Sequence, residues 1–255
     1  MMSPRPPAAL RRLRARLSNG AWLPVVRRLA GDGQDVGLSF DDGPSAACTP
    51  EILRLLHASG ATATFFVTGE RALAEPALVG DIVRGGHNVF CHGWRHAHYD
   101  RGPGEALLTD LRRAEAALAA FRPTPAPYLV RLPYGSGHLS AAVHRMLRRW
   151  NPTSQIAEWD RVIEDWRLAD DCPDVEHLRA ACAAAADRAM ARPDLRGAIL
   201  LIHEDPYGVS APLKARIGPM LLAEILHRLD RLGLRGRKIQ PLRGQCPLRR
   251  YVRTW

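Results

Sequence analysis

The 255-residue chain has no apolar run approaching the roughly 20 residues needed to cross a bilayer, so a helical integral membrane protein is not expected. Seven arginines and no acid occupy residues 1–28, among them Arg11, Arg12, Arg14 and Arg16, yet no apolar core of about 7 to 15 residues follows them. Secretion is therefore not indicated. The cysteines, Cys48, Cys91, Cys172, Cys182 and Cys246, include no Cys-x-x-Cys, and an odd count without an export signal points to reduced thiols in a cytoplasm. Internal repeats are also absent, and the one low-complexity stretch, around Ala180 to Ala186, reads as helix.

The net charge of +10 looks like a nucleic-acid signal until it is divided along the chain. Seven arginines at 1–28 and a net eight positive charges at 228–255 leave the stretch 29–227 at −5. Neither end pairs its arginines with an aromatic platform or a DNA-binding motif, so no nucleic-acid partner is expected. The N-terminal arginines read first as a solvated tail and second as a weak contact with an anionic membrane surface.

With 46% hydrophobic residues the chain has ample material for a core. Strand-like runs at Asp35 to Phe40, Thr62 to Val67, Asn88 to Cys91, Tyr128 to Val130, Thr153 to Glu158, Ala198 to Ile202 and Lys238 to Leu242 alternate with helix-like segments. The helices are predicted at Thr49 to Ser59, Pro76 to Arg84, Gly104 to Ala120, Ser140 to Arg149, Val175 to Ala191 and Pro212 to Leu232. Alternation of this kind predicts a parallel sheet, and the length suits a distorted (β/α) barrel of about seven strands. Asp41, Asp42, His92, Arg131, Trp159 and His203 each follow the last apolar residue of a strand, where barrels collect their functional groups.

Taken singly, Asp41-Asp42-Gly43-Pro44 is an ordinary turn, since Asp, Gly and Pro all favour one. About fifty residues on stands His92-Gly93-Trp94-Arg95-His96, whose i, i+4 imidazoles would share one side of a helical turn. One carboxylate with two imidazoles makes a three-ligand metal site, and the spare carboxylate is then a ready general base. His98 competes as a ligand and Cys91 is adjacent, although a strand would point Cys91 away from its neighbour.

Together, Leu38-Ser39-Phe40-Asp41-Asp42-Gly43-Pro44, Ala63-Thr64-Phe65-Phe66-Val67 and His92-x-x-x-His96 resemble the opening motifs of the polysaccharide deacetylase (NodB-homology) family. Arg131-Leu132-Pro133-Tyr134-Gly135, Asp165-Trp166 and Leu201-Ile202-His203 resemble its later ones, in the same order. The resemblance implies a NodB-homology domain at 35–242, flanked by a basic segment at 1–34 and a basic tail at 243–255. It further implies a divalent metal, usually zinc, on Asp42, His92 and His96, with Asp41 as base and His203 as acid in removing an N-acetyl group from a carbohydrate. Arg131 would orient Asp41, Asp165 would hold Arg131 or His203, the Tyr134 N–H would face the oxyanion, and Trp166 and Leu201 would line the acyl pocket.

Four positions depart from the family pattern: Cys91, Gly93, Val162 and Glu204 stand where Asn, Ser or Thr, Asp and Asp are usual. They remove no expected ligand, base or acid. Because they crowd the ligand loop, the alternative is a catalytically inactive, carbohydrate-binding member of the same fold.

Overall fold

A parallel strand covered on both faces reads as a near-continuous apolar run, and Val36-Gly37-Leu38-Ser39-Phe40 is one. In the computed structural model it forms the middle of β2 (Asp35–Gly43), in which every residue after Asp35 is buried. The structure describes residues 22–30, 33–99, 104–170, 172–191 and 193–242. Most of the expected basic segment and the whole tail 243–255 lie outside these.

Around β2 the strands pair in parallel. It is flanked by β3 (Thr64–Val67) and β8 (Ile199–His203), with β4 (Asn88–Cys91) beside β3 and the two-residue β7 (Arg161–Val162) beside β8. The short β9 (Arg235–Arg237) pairs with the opening of β2. A second parallel sheet runs β1 (Val25–Val26), β6 (Ser154–Ala157), β5 (Tyr128–Val130). Among the described residues, seven strands have three residues or more. The expected parallel βα barrel therefore forms, and it is distorted because two sheets make its wall. The two shortest strands, β1 and β7, carry too few residues to show a period in the sequence.

Among the described residues, seven helices surround the strands: α1 (Thr49–Ala58), α2 (Gly69–Ala74), α3 (Pro76–Arg84), α4 (Gly104–Leu118), α5 (Ala141–Trp150), α6 (Val175–Met190) and α7 (Lys214–Arg231). Their starts follow local chemistry. Pro50 opens α1, while the Ser140 hydroxyl and the Asp174 carboxylate accept the N–H groups of Val143 and His177 to cap α5 and α6. Ile52 and Leu56, one turn apart, bury one face of α1 in the core. The single-turn-and-a-half α2 was not expected, being too short for a periodic pattern.

Between β4 and β5 no ladder is present among the described residues, and side chains close that seam. The buried Tyr128 hydroxyl accepts the Cys91 N–H at 3.1 Å and donates to Glu115, while Arg122 donates to the Val89 carbonyl at 2.8 Å and to Glu115 at 2.7 Å. Across the other seam, Leu29 N–H reaches Gly197 O at 2.8 Å and Asp160 N–H reaches Ile199 O at 2.9 Å. Aromatic rings fill the space between: Phe40 stacks on Phe65 at 5.1 Å and Phe90 meets Tyr128 edge-on at 5.2 Å. Burying such rings contributes roughly 1.5–3 kcal/mol apiece.

The final strand expected at Lys238 to Leu242 is corrected to Arg235–Arg237. Residues 238–242 instead cover the barrel floor by hydrogen bonds to side chains. Ile239 N–H bonds Thr64 Oγ1 at 2.9 Å, Asn88 Nδ2 bonds Ile239 O at 2.9 Å, and Gln155 exchanges two bonds with Leu242. Pro241, lacking an N–H, is unsuited to continue a ladder.

Tyr128→Phe would leave the buried Cys91 N–H without its acceptor. It is expected to cost about 1–3 kcal/mol with an unchanged urea m-value, measured by equilibrium unfolding.

Candidate active site

Alternation along a strand would send the adjacent side chains of Asp41 and Asp42 to opposite faces. Instead both carboxylates reach the same imidazole: His92 Nε2 lies 3.7 Å from Asp41 Oδ2 and 3.6 Å from Asp42 Oδ1. The cause is local. Asp42 has a φ of 68°, a left-handed conformation that a short polar side chain tolerates, and the pairing of β2 with β3 slips between Asp41 and Gly43. Gly43 is needed there, because a Cβ would lie 1.6 Å from Glu204 Oε1.

The two aspartates occupy different electrostatic settings. Asp41 Oδ1 accepts from Arg131 Nη1 at 2.8 Å, both groups being almost fully buried. Burial alone would raise the Asp41 pKa, but Arg131, helped by His92 and His203, holds it below the ordinary carboxylate value. Asp42 has no arginine on its carboxylate. Burial raises its pKa, and the neighbouring Asp41 charge adds to that rise against His92, His203 and the Tyr207 N–H.

His92 Nδ1 is 2.9 Å from the Arg131 carbonyl, which can only accept, so Nδ1 carries a proton and Nε2 is the atom turned to the aspartates. His96 Nε2 lies 3.4 Å from Asp42 Oδ1. Burial, with His92 beside it, lowers the His96 pKa to about 3, so this ring is neutral. The helical turn expected for His92-x-x-x-His96 does not form. Residues 92–98 are an open loop, because Gly93 has a φ of 82° and the Trp94 N–H is drawn to Asp110 Oδ2 at 2.6 Å. The loop still brings both imidazoles to Asp42.

Ligand atoms of Asp42, His92 and His96 all lie within 4.8 Å of one another. Tetrahedral bonds of about 2.0–2.2 Å would separate ligands by roughly 3.4 Å, close to the 3.6 and 3.4 Å from Asp42 Oδ1 to the two imidazoles. Asp42 Oδ1 is buried without a hydrogen-bond partner, as an oxygen reserved for a cation would be. A carboxylate oxygen and two imidazole nitrogens thus fit a divalent metal. Among the described residues this is the one such group, and neither His98 nor Cys91 joins it. His98 stacks on Tyr134 at 3.9 Å, and burial pushes the Cys91 thiol up to about 12.

Opposite this group, at the end of β8, His203 Nδ1 bonds Asp165 Oδ1 at 2.8 Å and the His203 N–H bonds Asp165 Oδ2 at 2.6 Å. Of the two partners expected for Asp165, the structure selects His203. Burial alone would lower the His203 pKa, but Asp165, with Asp42 and Asp41 behind it, pushes it up to about 9. Trp166 meets the His203 ring edge-on at 5.4 Å, and Leu201 is 4% exposed two residues earlier. Tyr134 sits in a one-turn helix, Pro133–Gly135, with a φ of 58°.

The departures have physical reasons. A Cβ at Gly93 would lie 1.8 Å from Tyr99 Oη and 2.9 Å from Asp110 Oδ2. Tyr99 and Asp110, themselves hydrogen-bonded, fill the place a Ser or Thr side chain would take. Glu204 is fully buried, shares a hydrogen bond with Thr49, and is pushed up to about 8 by burial. Val162 is 44% exposed on β7, where it pairs with Leu201 of β8. Sequence reasoning missed Glu204 and Thr49 as a pair, Asp110, Arg71 and Tyr207. Arg71 donates to the carbonyls of Asp42 and Asp205, and Tyr207 N–H bonds Asp42 Oδ2 at 3.2 Å. A Tyr four residues past a strand-end His was the one available signal.

Fold and site define a βα-barrel protein with a carboxylate–imidazole group suited to a divalent cation, faced by a His–Asp pair. A profile of the polysaccharide deacetylase family matches residues 29–153. A chitooligosaccharide deacetylase from Rhizobium leguminosarum bv. trifolii is 30% identical over 173 residues, covering 68% of this chain and 73% of that protein. The chain belongs to the polysaccharide deacetylase family. A second chitooligosaccharide deacetylase, from Bradyrhizobium sp. (strain ANU 289), is 35% identical over 114 residues, and the match spans 44% of this chain and only 52% of that protein. The solved structure of peptidoglycan deacetylase PdaC from Bacillus subtilis superposes with a TM-score of 0.63 at 26% identity, covering 82% of this chain and 89% of that one.

Gly93→Ser, which restores the usual family residue type, is expected to destabilise the protein by at least ~1–3 kcal/mol from backbone strain alone. Thermal unfolding of Gly93→Ser, with and without Tyr99→Phe to remove the clashing oxygen, checks this; the second change should return part of the loss.

Proposed function

We propose that the protein is a metal-dependent hydrolase that removes the N-acetyl group from an amino sugar of an oligosaccharide, polysaccharide or glycan precursor. The observation that carries this reading is the division of the two aspartates: Asp41 is paired with Arg131, while Asp42 turns an unpartnered oxygen to two imidazoles. The naming of relatives as chitooligosaccharide and peptidoglycan deacetylases supports an N-acetylated carbohydrate as substrate.

A divalent cation on Asp42, His92 and His96, zinc being suited to this donor set, would polarise the acyl carbonyl and acidify water. Asp41 takes the proton of the attacking water as that oxygen bonds to the carbonyl carbon. Arg131 keeps the Asp41 carboxylate anionic and fixed until then. The backbone N–H of Tyr134 would donate to the oxygen on which charge develops. His203, held through Nδ1 by Asp165, presents Nε2–H to the nitrogen of the breaking bond, and the amine leaves with that proton. Trp166 and Leu201 would line the pocket for the acyl methyl group.

Amine release from defined N-acetylated oligosaccharides, before and after chelation and with zinc or cobalt restored, tests the reading. Release that needs the metal supports it; none from any substrate with metal restored leaves a silent carbohydrate-binding protein instead. Asp41→Asn is expected to lower turnover by about 10²- to 10⁴-fold with metal content intact, whereas His92→Ala loses both. Metal analysis beside rate measurement separates the two variants. Asp165 raises the His203 pKa, so His203 is protonated below about 9 and activity falls as pH rises through that value. Asp165→Asn should move this alkaline limb of kcat/KM to lower pH, read from the rate profile.

A further inference from the structure

The two histidines of the metal group are held in different ways. The second ring nitrogen of His92 is fixed by the Arg131 carbonyl. The second ring nitrogen of His96, Nδ1, is buried and has no hydrogen-bond partner among the described residues. A ligating histidine usually donates from that atom to a carboxylate, carbonyl or water, which sets its ring plane. Aromatic rings lie against His96 instead. Tyr207 is parallel to it, 2° between planes with centroids 5.1 Å apart, and Tyr134 approaches at 59° and 4.2 Å. Offset parallel rings at this separation attract and restrict one another's rotation.

Of the two, Tyr134 is 58% exposed, while Tyr207 is anchored at several points. The Tyr207 hydroxyl is 3.0 Å from Thr68 Oγ1, and the Arg71 guanidinium lies 4.2 Å from its ring centroid. Arg71 is itself fixed by the Asp42 and Asp205 carbonyls and by the Asp205 carboxylate at 3.4 Å. The Tyr207 backbone N–H donates to Asp42 Oδ2, which leaves Oδ1 as the oxygen facing both imidazoles. One residue therefore touches two of the three ligands from a rigid mount.

Resting on the metal reading above, we propose that Tyr207 is a positioning residue of the metal centre. Its N–H selects the Asp42 oxygen offered to the ion, and its ring sets the plane of His96 in place of a hydrogen bond to Nδ1.

The test uses the full chain and its Tyr207→Leu, Tyr207→Met and Tyr207→Phe variants, titrated with cobalt(II) against a chromophoric chelator. The visible spectrum of bound cobalt and unfolding in excess chelator are recorded alongside. Losing the ring plane in Tyr207→Leu or Tyr207→Met should weaken cobalt binding about 10- to 100-fold and change the band intensities, the usual scale for a residue that orients a ligand. Tyr207→Phe keeps the plane and should match the wild type in both. Wild-type affinity and spectrum in the Leu and Met variants would overturn the proposal, as would a Phe variant as weak as they are, which would assign the effect to the hydroxyl. Unfolding of both non-planar variants when metal-free would overturn it too, by giving Tyr207 a merely structural role. Cobalt uptake that depends on His92 but not on Tyr207 removes this inference alone; a wild type that takes up no cobalt removes the metal reading with it.

Discussion

The buried ion pair between Arg131 and Asp41 is the constraint on which the rest of the site depends. Arg131 enters from the end of β5 in the smaller sheet and Asp41 from β2 in the larger one, so their contact crosses the barrel between sheets that share no ladder there. Four of the five guanidinium hydrogens have protein acceptors: Ser39 Oγ, Asp41 Oδ1 and the carbonyls of Ala157 and Glu158. A buried charge is tolerable only when paired and hydrogen-bonded in this way, and removing one partner of such a pair typically costs about 3–5 kcal/mol. The Arg131 carbonyl also fixes His92, so the same residue orients a carboxylate and an imidazole that lie side by side.

From that pair follows the asymmetry of the double aspartate. Two carboxylates on consecutive residues and within reach of one imidazole would ordinarily repel, and one would tend to take a proton. The arginine neutralises Asp41, and the remaining deficit of positive charge collects at Asp42, whose Oδ1 has no partner. The left-handed backbone at Asp42 is what turns both groups to one side. The strain of that conformation is retained because β3, β8, Gly43 and Glu204 enclose it.

Much of this was legible in the sequence. The apolar runs ending in Asp41, His92, Arg131 and His203 located four strand ends because parallel strands are buried on both faces and polar residues appear only where they emerge. The helix end at Arg84, ahead of Gly85, was legible for an equally local reason. Other features were not. Two-residue strands carry no period, and the loop 92–98 took its path from Asp110, a residue on another element, and not from the helical spacing of its histidines. That Gly93 makes room for Tyr99, where a Ser or Thr is usual, also had no local signal.

The sequence by itself determined the barrel, the order of its polar strand ends and the residue types gathered there, because burial and turn chemistry act within a few residues of the chain. Only the tertiary structure decided which aspartate is held ionised, that Asp165 serves His203 and not Arg131, and that Tyr207, Arg71 and Glu204 stand behind the two aspartates. Those outcomes rest on contacts between residues far apart in the chain, through charge, burial and ring packing that no local pattern records.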